Sequence, residues 1–251
     1  TGNVTVANGT LTVNSVGGLI DFEGSILGTS DEVLVLNANA GTDNAYTNEK
    51  VIVAAIGTGN QIHSVSITGR DGITLEGNIT TSDKATNSVS FTGPVSINAA
   101  TVVIDTDASN NDGTVTFSST IDSTTGTSRN LDIVSATGNV TVTGAIGATT
   151  ALASLDINQA GGDGDITLTS NIGADASNPG VTGVTRIGNA ATADLNLNGT
   201  VYTTGGATTY ASAGTDLGGS SPTFTTSADT ITFTGNVTVA NGTLTVNSVG
   251  G

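Results

Sequence analysis

The sequence has no cysteine, no methionine and no tryptophan, and only three prolines in 251 residues. Without cysteine there is neither a disulfide framework nor a thiolate metal site, so packing and hydrogen bonding must hold the chain together. Aromatics are scarce, three Tyr and five Phe. Immunoglobulin-type sandwiches are built around a large buried aromatic, so this scarcity weighs against that class. Positive charge is nearly absent: five Lys and Arg stand against 21 Asp and Glu, a formal net charge of -16. A chain this acidic repels nucleic-acid phosphate and anionic membrane surfaces. The longest apolar run, Val51-Ile-Val-Ala-Ala-Ile56, falls far short of the roughly 20 residues a membrane-spanning helix needs. The composition therefore predicts no nucleic-acid partner and no membrane insertion.

Short alternating runs fill the chain instead. Val65-Ser-Ile67, Ile73-Thr-Leu75, Val89-Ser-Phe91, Val115-Thr-Phe117, Leu131-Asp-Ile133 and Val140-Thr-Val142 are examples. Each puts two apolar side chains on one face of a strand and a polar one on the other, with Gly, Asn or Asp in the gaps. No apolar pattern of helical period is sustained, and Thr, Asn and Gly are poor helix formers. The run at Val65 recurs at Val89 and Val115, that at Leu131 recurs at Leu155, and that at Val140 recurs at Ile166 and Leu195. A unit as short as these intervals cannot bury its own core, which is the signature of a solenoid. The fold predicted is all-β: a right-handed parallel β-helix with coils of about 24–29 residues, inward Val, Ile, Leu and Phe forming apolar ladders. The alternative is a string of tandem immunoglobulin-like β-sandwiches, two of them between positions 1 and 233.

A longer repeat frames the shorter one. Residues 1–18, TGNVTVANGTLTVNSVGG, recur without change at 234–251, so that Thr1 returns as Thr234 and Gly18 as Gly251. The identity predicts a tandem array in which 1–233 is one solenoid unit and 234–251 the start of the next. Within the unit, 203–229 is rich in Gly, Ser and Thr and reads as an irregular, loop-rich insertion.

Residues for catalysis are few. The single histidine, His63, has no neighbour in sequence that would make it a general base. Lys50, Arg70, Lys84, Arg129 and Arg186 are scattered singly, unlike the basic clusters that hold acidic polysaccharides. The chain is expected not to be an enzyme. The one metal candidate is the segment Asp105-Thr-Asp107-Ala-Ser-Asn-Asn-Asp112-Gly113, in which Asp105, Asp107 and Asp112, with Asn110 and Asn111, offer hard oxygens to calcium. No other cofactor is expected. Gly161-Gly-Asp-Gly-Asp165 reads as a turn. Asn-x-Thr sequons stand at Asn3, Asn8, Asn78, Asn139, Asn198, Asn236 and Asn241.

The phrases GNVTVTGAIGATTALASLDI (138–157) and DLNLNGTVYTTGGATTYASAG (194–214) resemble bacterial β-strand-repeat proteins, the giant secreted surface proteins related to filamentous haemagglutinin-like adhesins. The resemblance lies in composition and rhythm, covers most of the unit and carries no catalytic motif. It implies a β-helical, exported protein of the cell surface or extracellular space, serving in adhesion, matrix or envelope structure. Expected partners are neighbouring copies of the repeat, together with a cell surface or extracellular matrix. The function this predicts is a structural repeat of an extracellular filament or giant surface protein. An adhesin stalk or binding module is the alternative, and a polysaccharide-active β-helix enzyme the remotest reading.

Overall fold

A strand that alternates apolar and polar residues leaves its apolar face bare until another strand of the same kind lies against the same core. This chain meets the requirement by coiling. The computed structural model describes all residues except 1, 30, 40, 42–46, 85, 108–111, 228 and 249–251. Among the described residues there is no helix, and every pairing between strands is parallel.

The pairings resolve into three columns of inward side chains, one for each face of the coil. On the first face Val4, Ile26, Ile56, Ile79, Ile104, Ile133, Ile157, Ile187, Tyr210 and Phe233 stack in that order. The second carries Leu11, Leu34, Val65, Val89, Val115, Val140, Ile166, Leu195, Thr215 and Val237. On the third are Ile20, Val51, Ile73, Val95, Ile121, Ile146, Ile172, Tyr202, Phe224 and Val246. Followed along the chain, the faces come in the order first, second, third and back to first. The molecule is thus a β-solenoid of ten coils, as the recurrence of the alternating runs predicts.

The middle of each column is sealed. Leu34, Val65, Ile73, Ile104, Val115, Ile133 and Ile166 have essentially no exposed surface. Six rings stack in pairs, Phe91 on Phe117 with centroids 4.7 Å apart, Tyr202 on Phe224 at 4.5 Å and Tyr210 on Phe233 at 5.1 Å, while Phe22 pairs with Val53. A narrow core has room for few rings, which fits the scarcity of aromatics.

The spacings read from the sequence are coil spacings. Val65 pairs with Val89, Val89 with Val115, Leu131 with Leu155, Val140 with Ile166 and Ile166 with Leu195. The tandem-sandwich alternative is overturned, because sandwich sheets are antiparallel. Coil length varies more widely than predicted: the coil from Leu34 to its partner Val65 is longer than the expected range, and the coil from Leu195 to Thr215 is shorter. The stretch 203–229 also differs from expectation, since it holds Thr208–Ser220, the longest strand, and Thr223–Thr226. Gly219 is there for closeness: a Cβ on it would lie 2.0 Å from the Gly199 carbonyl oxygen of the coil below. Small residues let the chain run flat across two faces, with a bulge between Ala211 and Gly214 where other coils turn a corner.

Candidate functional site

A solenoid offers chemistry at its turns, along its outward columns and at its end coils. The predicted calcium residues lie at a turn. Asp105 closes the strand Thr101–Asp105 on the first face, and Asp107 and Asp112 belong to the connection leading to Thr114–Phe117 on the second. Residues 108–111, and with them Asn110 and Asn111, lie outside the described residues. Asp105 Oδ1 accepts the Asp107 N–H at 3.0 Å. One oxygen of Asp112, Oδ2, accepts the N–H of Thr137 at 3.0 Å and its hydroxyl at 2.7 Å, across to the next coil. Partial desolvation, then the charge of Asp112 and a hydrogen bond with it, push the Asp107 carboxyl above its ordinary value. The fold thus brings the three carboxylates to one corner and already uses one Asp112 oxygen to tie two coils. Among the described residues no group of three or more His, Asp or Glu is placed to hold a metal ion.

The outward columns carry charge. Asp132 and Asp156 are register partners on adjacent coils of the first face. Both are half-buried, and desolvation pushes both carboxyls up; Asp156 adds to this at Asp132, while at Asp156 the Gln159 N–H and Arg186 oppose it. Arg186 is next in the column, 3.8 Å from Asp156. Arg70 Nε lies 2.7 Å from the buried Glu49, and Lys84 Nζ lies 2.8 Å from Asp31. Lys50 and Arg70 both lie by Asp71, while Lys84, Arg129 and Arg186 stand elsewhere on the coils, so the five cations do not gather at one place. His63 is half-buried beside Ser64–Thr68, and its backbone N–H donates to the Glu32 carbonyl at 2.8 Å. The turn expected at Gly161–Asp165 lies just before it, at Gln159 and Ala160, and 161–165 is the irregular connection to the next strand, with Gly161 and Gly162 at φ of 146° and 99°.

Two features were not legible in the sequence. Glu32 is buried, and its carboxylate accepts the N–H groups of Thr29 at 2.6 Å, Asn8 at 3.2 Å and Asp31 at 3.2 Å, and also the Thr29 hydroxyl. Burial opposes its charge, but the hydrogen bonds prevail and hold its pKa down at about 2. The second feature is a buried polar line up the corner between the first and second faces. Asn87 Nδ2 donates to the Ser82 and Thr106 carbonyls at 2.9 and 3.2 Å. Higher up, Asn158 Oδ1 accepts the Ser135 N–H at 2.7 Å and Nδ2 donates to Ser135 Oγ at 2.9 Å. These side chains satisfy backbone groups that turn away from the ladders. Their only sequence signal is an Asn or Ser shortly after an apolar pair, which in this composition is everywhere.

The class these observations define is a three-faced parallel β-solenoid with in-register outward columns and apolar side chains open on its end coils. Compared with known proteins, the chain matches no family model, no curated protein and no solved structure.

Proposed function

We propose that the chain is a structural repeat of an extracellular filament or giant cell-surface or matrix protein, extended end to end through its repeated segment and without a catalytic role. One observation carries the reading. The same sequence occurs at 1–18 and 234–251, its described residues 2–18 and 234–248 lie in the coils at the two ends of the solenoid, and at the second end the inward Val237, Val239 and Val246 are 37%, 38% and 48% exposed. Apolar positions that are sealed in every middle coil stand open there, which favours a further coil as their partner. Stacking adds length without needing a new core, because each coil contacts only its neighbours. The absence of cysteine and the formal charge of -16 suit a long, oxidation-insensitive rod that stays dispersed from its neighbours. The rhythm shared with filamentous haemagglutinin-like surface proteins points the same way, with copies of the repeat and a cell surface or matrix as partners.

Electron microscopy of the native material tests this. A regular fibre with an axial repeat of about 45 Å for each unit is expected, from about 4.8 Å per coil. Isolated globules, or separate bodies on a flexible string, would refute it.

A further inference from the structure

The repeated segment is seen twice, and it stands on different faces. In its first occurrence Val4 is on the first face, and Leu11 and Val13 are on the second. In its second occurrence Val237, the counterpart of Val4, is on the second face, and Val246, the counterpart of Val13, is on the third. From Val4 to Val237 the chain makes nine full coils and advances one face more. The segment keeps its inward side in both settings: Val237, Val239 and Val246 lie over Thr215, Leu217 and Phe224, all buried. Its glycine keeps a positive φ, 93° at Gly9 and 82° at Gly242, while the residue before it adapts: Asn8 is at φ 65° and its counterpart Asn241 ends the strand Ile231–Asn241.

Each occurrence displays a different edge in use. The lower edge is paired in the second, with residues from Gly214 to Thr226. The upper edge is paired in the first, where Val4 meets Ile26 and Thr10–Asn14 meets Val33–Asn37. There Asn3 Oδ1 accepts the Ser25 N–H at 3.2 Å, and the Asn8 N–H reaches the Glu32 carboxylate at 3.2 Å. Covered in this way, Val6 is 7% exposed, against 38% for its uncovered counterpart Val239. An identical sequence with both edges accounted for has no need of a linker.

We infer that the open edge of residues 237–248 seats a following segment with the sequence of Ser25–Asn37, paired as that segment pairs with Val4–Asn14 here. The array is then one unbroken solenoid in which each unit is turned by one face relative to the unit before. This rests on the tandem-array reading and deepens it. Nine and a third coils at about 4.8 Å give a rise of about 45 Å per unit, and three units restore the orientation after about 135 Å. The Asp132 and Asp156 column therefore does not form one acidic stripe. It appears on each side of the rod in turn, and lateral neighbours meet equivalent surfaces from any direction.

The test is cryo-electron microscopy of a chain in which residues 1–233 occur three times before 234–251, with Thr125→Cys in each unit for gold labelling. Thr125 is exposed and the native chain has no competing thiol. A continuous rod with successive labels about a third of a turn apart is expected. A continuous rod with all labels along one line overturns the inference and leaves the filament reading standing. Separate bodies joined by a hinge overturn both. A second measurement uses a two-unit chain with Thr238→Cys and the second unit's counterpart of Leu27→Cys. Thr5 and Leu27 are register partners, and adjacent strands hold such pairs within disulfide reach. Near-complete cross-linking on oxidation is expected, seen as a mobility shift on a non-reducing gel, and its absence in the folded chain overturns the seating.

Discussion

Glu32 sits where the chain turns between two faces, and several N–H groups there point into a space without a backbone acceptor. Its carboxylate fills that place, so its stability effect has a definite sign. The folded pKa of about 2 lies below the ordinary 4.5. The contribution is therefore fully present above about pH 4.5 and is lost as pH falls through the folded value. Glu32→Gln keeps the shape but turns two donor hydrogens toward the existing donors, so the melting temperature at pH 7 should fall by several degrees and the gap to the native chain should close near pH 2. Asp132 behaves oppositely. Its carboxyl is raised above the ordinary 3.8 by desolvation and by Asp156, so it favours the folded state in acid, and that contribution is lost as pH rises through the raised value. Asp132→Asn should raise stability at pH 7 by about 0.5 kcal/mol, the scale of a like-charge cross-strand pair, and the gain should vanish below about pH 3.8. Thermal melts across the pH range should show the two variants converging on the native chain in acid from opposite sides, Glu32→Gln from below and Asp132→Asn from above. If both respond alike, the assignment of their environments is wrong.

At the scale of the coil, what matters is whether a layer transmits contact from the one below to the one above. Ile133 stacks between Ile104 and Ile157 and is fully buried. Ile133→Ala should cost about 2–5 kcal/mol, as buried aliphatic truncations do. Because coupling is only between neighbours, the loss should be local, and limited proteolysis should open the chain first at the coils around 133. Corners obey a different rule. A Cβ on Gly138 would come 2.2 Å from the Gly113 carbonyl oxygen, and one on Gly164 would come 2.3 Å from that of Gly138. The glycines form a column because each coil lies directly on the last. Gly138→Ala should therefore be strongly destabilising, whereas Gly214→Ala, whose added carbon meets nothing nearer than 3.8 Å, should leave a denaturant midpoint almost unmoved.

On the scale of the molecule the formal charge of -16 is distributed over a long surface, so self-repulsion acts mainly between rods and is screened by salt. Divalent cations should promote side-by-side association, measured by light scattering. Calcium and magnesium should act alike, and Asp112→Asn should leave the response unchanged. A response to calcium alone, abolished by Asp112→Asn, would instead identify the Asp105, Asp107 and Asp112 corner as a true calcium site.

Much of this architecture is local and therefore readable. Alternation at Val65-Ser-Ile67 or Val140-Thr-Val142 decides which side chains face inward, because successive residues of a strand point to opposite sides whatever lies beyond. Near-equal spacing of such runs then gives the stacking, and the recurrence of 1–18 at 234–251 is read directly from the chain. The corner that satisfies Glu32, the flat run of Thr208–Ser220 and the placement of Asp132 against Asp156 are not local. They depend on which coil lies beneath, and coils as unequal as Leu34 to Val65 and Leu195 to Thr215 put no fixed offset between partners. The number of faces between the two occurrences of that segment is of the same kind. That Val4 recurs as Val237 is plain from the chain alone. Only the pairing of strands across the stack placed the two on different faces, because a face is defined by its neighbours in space and not by distance along the chain.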